Sequence, residues 1–274
     1  MKTDLLLNPM GADYAGMRAA ALAAAAAGFD GLWTWDHLRD TDGPGPTPEA
    51  WTVLSALAEA VPRLMIGPLV LNVINRHPAV LANMAATLQQ VSGGRLLLGI
   101  GAGGGQSTPY VREQEMIGNA VGSDRVRADR VVEAIAVMRH LWAGDGPDFA
   151  GRFYQLKRPS GFLRPNPPPP VIVGAFGPRM ARIAGQSGDG LNTQAGHPEL
   201  ERMLSVARDA YARSGRDPGR FLVTVFAGLS ERWLRPGSRE RERLERLNID
   251  RLILLASPPF DPSAISEAGK LLAG

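Results

Sequence analysis

The feature that most constrains the fold is a regular alternation of short apolar runs with longer amphipathic stretches. Eight runs rich in valine, isoleucine and leucine are each short enough for a strand buried on both faces, at residues 4–8, 31–35, 64–70, 95–100, 171–173, 190–193, 221–226 and 251–255. A stretch with helical character follows each run, near residues 13–27, 49–61, 79–91, 124–142, 178–187, 198–214, 238–247 and 262–273. Strict β/α alternation predicts an α/β fold, a (β/α)8 TIM barrel.

Composition is compatible with one such barrel. A chain of 274 residues with 45% hydrophobic content can bury a large core, so we expect a single domain over residues 1–274. Two segments exceed the alternation and predict insertions, one after the fourth strand and one before the fifth. The second contains residues 149–154, which have the pattern of a small hairpin, and then four consecutive prolines at 167–170.

Charge and cysteine content exclude several classes of function. The net charge is only +3 although the pI is near 9.6, and arginine alternates with glutamate in the late helices, so nucleic-acid binding is not expected. The chain has no cysteine, which excludes disulfides, thiolate nucleophiles and cysteine-based metal sites. The alanine-rich stretch at residues 19–27 is too short to span a bilayer. The sequence thus predicts a soluble cytoplasmic protein without a metal site.

In a TIM barrel the chemistry lies at the carboxyl ends of the strands, where His37 is the leading candidate. It follows the second strand in the segment Trp33-Thr-Trp-Asp-His37. An imidazole at this rim could donate a proton or a hydrogen bond to a substrate oxygen, and Asp36 could orient it or bond a cofactor ring. The alternative is a structural histidine beside a helix-capping aspartate. His77, His140 and His197 lie at or within helices, where capping or packing is expected.

Loops that follow the strands should border the same mouth. The longest, residues 101–123, is placed where barrels carry a substrate lid, and residues 40–48 after the second strand are rich in turn residues. The lid begins with a glycine-rich run at residues 99–105 that would let a ligand approach the backbone closely. The run is weak evidence for a dinucleotide-binding site, because that fingerprint also requires an acidic residue about 20 positions later within one βαβ unit.

A second glycine-bearing segment, residues 174–179, has the composition of an anion site. It lies between the fifth strand and a helix that begins at Pro178, so helix amides and Arg179 could bind a phosphate. The pair Gly188 and Gly190 before the sixth strand, and Gln194 to Gly196 after it, could complete the pocket. The alternative is an ordinary tight turn.

Taken together, these segments resemble the luciferase-like monooxygenase superfamily, and particularly its oxidoreductases that use the deazaflavin coenzyme F420. The resemblance covers almost the whole chain. It rests on residues 27–33 with Asp36-His37, on Arg76-His-Pro78, on residues 92–95 with 99–103, and on Gly177-Pro178 with residues 188–190.

The resemblance also assigns positions to the cofactor. It implies a phosphate site formed by Gly174, Ala175, Phe176, Gly177, Pro178 and Arg179, which Gln194 after the sixth strand could complete. It implies a ring site formed by Asp36, Leu69, Val70, Gly101, Ala102 and Gly103. Members of the family often carry a non-proline cis peptide in the third strand, which alignment through Arg76-His77-Pro78 places at Leu69-Val70. A homodimer is suggested on the same ground.

One departure bears on the substrate. A sugar-phosphate-oxidising branch of the family has a glutamate proton donor where this chain has Gly104. Tyr110, Glu113 and Glu115 lie farther along the same loop, and the resemblance assigns no role to them.

The resulting hypothesis is an oxidoreductase in which F420 exchanges a hydride with a small organic substrate and His37 supplies a proton or polarises the substrate. Two alternatives are an FMN-dependent monooxygenase and a non-catalytic carrier or sensor of a flavin or deazaflavin. A Schiff-base aldolase has little support, because the three lysines, Lys2, Lys157 and Lys270, do not follow barrel strands.

Overall fold

A computed structural model describes residues 1–41, 43 and 45–273 of the chain. The strands are β1 (Lys2–Leu7), β2 (Gly31–Thr34), β3 (Met65–Pro68), β4 (Leu71–Asn72), β5 (Leu98–Gly101), β6 (Phe149–Ala150), β7 (Gln155–Leu156), β8 (Val171–Gly174), β9 (Gly190–Gln194), β10 (Leu222–Gly228) and β11 (Arg251–Ala256). The helices are α1 (Tyr14–Ala26), α2 (Ala50–Ala60), α3 (Pro78–Val91), α4 (Val111–Met116), α5 (Asp124–Ala143), α6 (Pro178–Ser187), α7 (Leu200–Ala212), α8 (Glu231–Leu234), α9 (Arg239–Arg246) and α10 (Pro262–Ala273), with a 3₁₀ turn at Pro218–Arg220.

Nine strands form one parallel sheet in the order β3-β2-β1-β11-β10-β9-β8-β5-β4. The sheet closes on itself where the amide of Ile66 donates to the carbonyl of Arg95 and the amide of Leu97 donates to the carbonyl of Ile66. Strands β3 and β4 are two parts of the third barrel strand, separated at the Leu69–Val70 peptide, which is cis. The prediction of a (β/α)8 barrel is therefore confirmed.

Both predicted insertions carry secondary structure. The segment after β5 contains the short helix α4, and the segment before β8 contains the antiparallel pair β6 and β7, which confirms the predicted hairpin. The carboxylate of Glu133 on α5 accepts the amides of Arg152, Phe153 and Tyr154 and so ties this hairpin to the barrel. The sequence did not predict α4, α8 or the 3₁₀ turn, because elements this short carry too little periodicity to recognise.

The barrel interior is filled near the amino-terminal ends of the strands. Trp33 is fully buried, and its indole Nε1 donates to Oδ2 of Asp4 at 2.8 Å. Arg251 donates to both oxygens of the same carboxylate, each at 2.7 Å. Gly67 makes room for the indole, since a β-carbon there would lie 2.6 Å from the Trp33 ring. With this end packed, a ligand is expected to enter from the carboxyl ends of the strands.

Candidate active site

The carboxyl ends of the strands bring together the residues that follow β2, β4, β5, β8 and β9. Trp35, Val70 and Phe226 are partly buried and pack on the interior cluster of the barrel, so the base of this mouth is apolar. The loop after β2 reaches the same end, because the amide of Gly11 after β1 donates to the carbonyl of Pro46 at 2.8 Å. Asp42 and Pro44 of that loop lie outside the described residues.

His37 lies at the rim of the mouth with its ring held on three sides. Nδ1 is 2.9 Å from Oε1 of Glu113, which belongs to α4. The imidazole stacks on Tyr110, with ring centroids 4.7 Å apart and an interplanar angle of 29°, and Trp35 meets it edge-on at 5.8 Å. This arrangement fixes the ring plane and occupies one of its two nitrogens.

Asp36, next to His37, bonds to the end of the third barrel strand and not to His37. Its two oxygens accept from Arg76 at 2.8 Å each, and the backbone amide of Asn72 donates to it at 2.9 Å. The expectation that Asp36 orients His37 is therefore wrong, because the carboxylate on the imidazole comes from Glu113. Its predicted contact with a cofactor ring stays a prediction.

The ion pair between Asp36 and Arg76 is nearly buried, and Arg76 also contacts Glu49. Burial alone would lower the pKa of Arg76, but bonds and charges from Asp36 and Glu49 outweigh it and raise that pKa above its ordinary value. Burial also raises the pKa of Asp36 against the opposing effect of Arg76. We take the pair as ionised, because two short parallel guanidinium bonds match a carboxylate and not a protonated acid.

Helix α4 is fastened over the mouth by polar side chains beside Glu113. Gln114 is buried, its Nε2 donates to Oδ1 of Asn75 at 2.7 Å, and its Oε1 accepts from Asn119 at 3.0 Å. Asn75 in turn donates to Asp36 at 3.4 Å. Two adjacent residues of α4 thus contact two adjacent residues after β2: Glu113 contacts His37 directly, and Gln114 contacts Asp36 through Asn75.

The predicted ring site contains a valine surrounded by glycines. The cis peptide at Leu69–Val70 is present as predicted. A β-carbon at Gly101 or Gly174 would lie 2.6 or 3.0 Å from Cγ2 of Val70, so both glycines leave room for this side chain. Gly103 has a positive φ of 69°, and a β-carbon there would overlap the Asn72 amide. Because Gly101, Gly103 and Gly174 carry no side chain, the surface around Val70 is formed by their backbone.

Arg127 of α5 bonds to the backbone of the glycine-rich loop that follows β5. Its Nη1 donates to the carbonyls of Ala102 and Gly103, and its Nη2 donates to Asp124 at 2.9 Å. The residue is buried, which is unusual for a cation and is explained by these three acceptors. Arg127 is not predictable from the sequence, because it is separated from the glycine-rich run by more than 20 residues.

The predicted phosphate segment lies at the start of α6. Gly177 is the N-cap residue and provides no side-chain cap, and Pro178 occupies the first helical position. The first amides of a helix have no partner within it and point outward with a partial positive charge. Apart from its chain neighbours and the helix backbone, no atom of the described residues would lie within 4 Å of a β-carbon at Gly177, so the approach to these amides is open. This local structure fits a bound phosphate.

Other predicted residues surround this helix start. Gly174 ends β8 and Ala175 is buried behind it. Phe176 is 61% exposed and meets Phe226 edge-on, with centroids 6.3 Å apart. Arg179 is half-exposed and bonds to Asp129 of α5 at 3.0 Å, so part of its charge is already balanced. Gln194 ends β9 at the same end of the barrel and is exposed.

One part of the predicted phosphate pocket is wrong. Gly188 is the C-cap of α6 and Gly190 begins β9, so both lie at the far end of the helix from Gly177. Ten residues of α-helix span about 15 Å. Asp189 between them accepts from the Val171 amide and pairs with Arg139, which is a structural role. The remaining histidines are structural as expected, because His77 caps α3, His140 contacts the Pro147 carbonyl and His197 accepts the Glu199 amide.

The structure adds Glu113 and Tyr110 to the site. A signal for them exists in the sequence, since residues three apart face the same side of a helical turn. Recognising it requires knowing that α4 is a helix and that it folds back over β2. Neither follows from six residues within a long loop.

Comparison with known proteins supports the family and the barrel fold. Residues 3–232 match the model of the family described as luciferase-like monooxygenase. The chain belongs to the luciferase-like monooxygenase family. One solved structure, an F420-dependent secondary alcohol dehydrogenase in complex with an F420–acetone adduct, superposes with a TM-score of 0.83, covering 100% of this chain and 99% of that one. At 22% identity, this likeness shows the fold alone.

Two curated relatives are more similar in sequence. The chain is 34% identical over 202 residues to the F420-dependent hydroxymycolic acid dehydrogenase of Mycobacterium tuberculosis, which covers 73% of this chain and 54% of that protein. It is 34% identical over 203 residues to the F420-dependent glucose-6-phosphate dehydrogenase of Nakamurella multipartita, covering 72% and 58%. The chain thus spans a little over half the length of these relatives. Within the described part of the chain, every helix is too short or too polar to cross a bilayer.

Proposed function

We propose that this protein is an oxidoreductase that uses coenzyme F420 to exchange a hydride with a small organic substrate. The observation that carries the proposal is that His37 and Val70 follow the ends of two paired strands, since β2 pairs with β3 and the Leu69 amide donates to the carbonyl of Thr34 at 2.8 Å. Relatives at 34% identity that are named as F420-dependent dehydrogenases support the choice of cofactor.

The residues present fit a ribityl phosphate cofactor at two separate points. The open start of α6 offers amides to the phosphate, and the surface formed by Val70 and the glycines offers a flat support for a ring. Leu69, Ala102 and Gln194 border the same region. We assign the cofactor to these segments, with Arg39 and Arg179 as candidate contacts for the carboxylates of the F420 tail.

When bound, the deazaflavin supplies the hydride chemistry, and the protein provides orientation and proton handling. Glu113 occupies Nδ1 of His37, which leaves Nε2 to take a proton from a substrate hydroxyl or return one to a carbonyl oxygen. The apolar residues Trp35 and Phe226 and the α4 segment limit the access of water.

The departure at Gly104 favours a small organic substrate other than a sugar phosphate. The glutamate of the sugar-phosphate-oxidising branch is replaced by Gly104, and a β-carbon there would lie 2.5 Å from Cβ of Tyr110. Glucose 6-phosphate and a panel of simple secondary alcohols, compared as substrates with F420, test this preference. Turnover confined to the sugar phosphate would contradict it.

FMN is the alternative cofactor, because it also carries a phosphate on a ribityl chain and the family includes monooxygenases. Titration of purified apoprotein with F420 and with FMN, followed by fluorescence at low and moderate salt, separates the two. We expect tighter binding of F420, weakening as salt screens its anionic tail. Tighter binding of FMN would contradict the F420 assignment. A non-catalytic carrier would bind F420 without turnover on any substrate.

Two further proposals concern the state of the protein. We expect a homodimer, which light scattering coupled to size-exclusion chromatography would detect as twice the mass of the 29.3 kDa chain. We also expect a cytoplasmic location, which fractionation of the native host would test.

A further inference from the structure

The contact between His37 and Glu113 joins two elements that are far apart in sequence. Glu113 lies on α4 and His37 follows β2, and Oε1 of Glu113 is 2.9 Å from Nδ1 of His37. The glutamate side chain is 5% exposed and the histidine 19% exposed, so the bond is largely shielded from water. A glutamate carboxylate only accepts hydrogen bonds, and Nδ1 must therefore carry the proton.

Helix α4, which carries Glu113, is held in place by bonds that do not involve His37. Gln114 anchors α4 to Asn75 at 2.7 Å and to Asn119 at 3.0 Å, and these bonds leave Glu113 free to be changed without releasing the helix. Tyr110, the N-cap residue of α4, stacks on the imidazole with ring centroids 4.7 Å apart. The ring plane and the protonated nitrogen of His37 are therefore controlled from α4.

We infer that Glu113 is a positioning residue that holds His37 in the tautomer with Nδ1 protonated and Nε2 available to the substrate. The inference rests on the proposed function, in which His37 exchanges a proton with an alcohol or carbonyl. In alcohol oxidation the O–H proton passes to Nε2, the C–H electron pair leaves with its hydrogen as hydride to F420, and a C=O bond forms. The imidazolium produced is stabilised by the Glu113 carboxylate, which takes no proton itself.

The tautomer can be measured without cofactor or substrate. In ¹⁵N NMR spectra of the apoprotein, at a pH where His37 is neutral, we expect the proton on Nδ1 in the wild type. Glu113→Ala should move the population toward the tautomer protonated on Nε2, and Glu113→Asp should restore part of the Nδ1 form. Glu115→Ala is the matched control, because Glu115 is on the same helix but exposed and has no contact with His37 among the described residues.

Kinetics give the second readout. Glu113→Ala should lower kcat by about tenfold or more, less than the factor of about 10² to 10⁴ expected from removing the imidazole, with the Kd for F420 changed less than twofold. Glu113→Asp should recover part of kcat, and Glu115→Ala should behave as wild type. Amide hydrogen exchange in α4 should remain unchanged in Glu113→Ala, which shows that the helix is still seated.

The outcomes separate this inference from the proposed function. An unchanged His37 tautomer in Glu113→Ala, or a changed tautomer with an unchanged kcat, would overturn the role of Glu113. A wild-type protein that turns over no alcohol or carbonyl with F420 would contradict the proposed function, whatever the tautomer shows.

Discussion

Val70 and Gly101 fit against each other because Gly101 has no side chain. A β-carbon on Gly101 would lie 2.6 Å from Cγ2 of Val70, and no other heavy atom of the described residues, its chain neighbours aside, comes closer than 3.9 Å. The space that Gly101 leaves is thus occupied by one side chain. Gly99, two residues earlier on β5, is restricted differently, since its β-carbon would lie 2.1 Å from the carbonyl oxygen of Pro68.

This difference predicts a selective rescue. Gly101→Ala should lower the free energy of unfolding by about 1 to 3 kcal/mol through overpacking, and adding Val70→Ala should recover most of that loss. Gly99→Ala should be destabilising with or without Val70→Ala, because the obstacle at Gly99 is the backbone carbonyl of Pro68, which Val70→Ala does not remove. Urea unfolding of the single and double variants measures the coupling energy. Equal rescue at both positions would show that Val70 is not the obstacle at Gly101.

His37→Ala is expected to lower turnover and leave cofactor binding nearly intact. Loss of a group that transfers a proton typically costs about 10² to 10⁴ in rate, whereas the predicted phosphate and ring contacts are made by other residues. Steady-state kinetics and fluorescence titration of the same preparation give both numbers. His77→Ala is a suitable control for histidine loss, since His77 caps α3 and meets Tyr154 edge-on, and it has no contact with His37 among the described residues. Unchanged kinetics in His37→Ala would reduce His37 to a structural residue.

Gly177→Asp should weaken binding of the phosphate-bearing cofactor while the protein still folds. Gly177 has extended backbone geometry and open space around its β-position, so aspartate fits, but its carboxylate would compete with a phosphate for the first amides of α6. We expect affinity for F420 to fall at least about tenfold, or about 1.4 kcal/mol.

Gly228→Asp is the control for this experiment. Gly228 ends β10 at the same end of the barrel and also has open space, so the variant adds the same charge away from α6. Its affinity should stay within a factor of about three of wild type, since exposed charges at a distance are largely screened. Wild-type affinity in Gly177→Asp would exclude the start of α6 as the phosphate site.

Asp4→Ala should be among the most destabilising changes in the barrel. It would leave the Arg251 guanidinium and the Trp33 indole without their acceptor in a buried position, which typically costs about 3 to 5 kcal/mol. Lys2→Ala, on the same strand, removes an exposed pair with Asp30 and should cost less than about 1 kcal/mol. Urea unfolding of both variants tests the contrast, and similar losses would show that the Asp4 cluster contributes no more than a surface pair.

Local sequence information was sufficient for the architecture and for part of the site. The strands and the longer helices follow from the spacing of apolar residues, because that spacing reflects which faces are buried regardless of the partners. The same holds for Gly177 and Pro178, since an N-cap glycine followed by proline is a local signal for a helix start. The position of Leu69–Val70 came from resemblance and is confirmed.

Only the tertiary structure decided which side chains meet. Glu113 reaches His37 across 76 positions of the chain and Arg127 reaches Ala102 across 25, and no periodicity encodes contacts at such separations. Asp36 was assigned to its neighbour His37, yet its bonds go to Arg76, 40 positions away, because a buried carboxylate must satisfy its oxygens with whatever donors the fold brings to it. The prediction that Gly188 and Gly190 join Gly177 in one phosphate pocket was wrong for a related reason. Helix α6 lies between them, and its length places its two ends at opposite ends of the barrel.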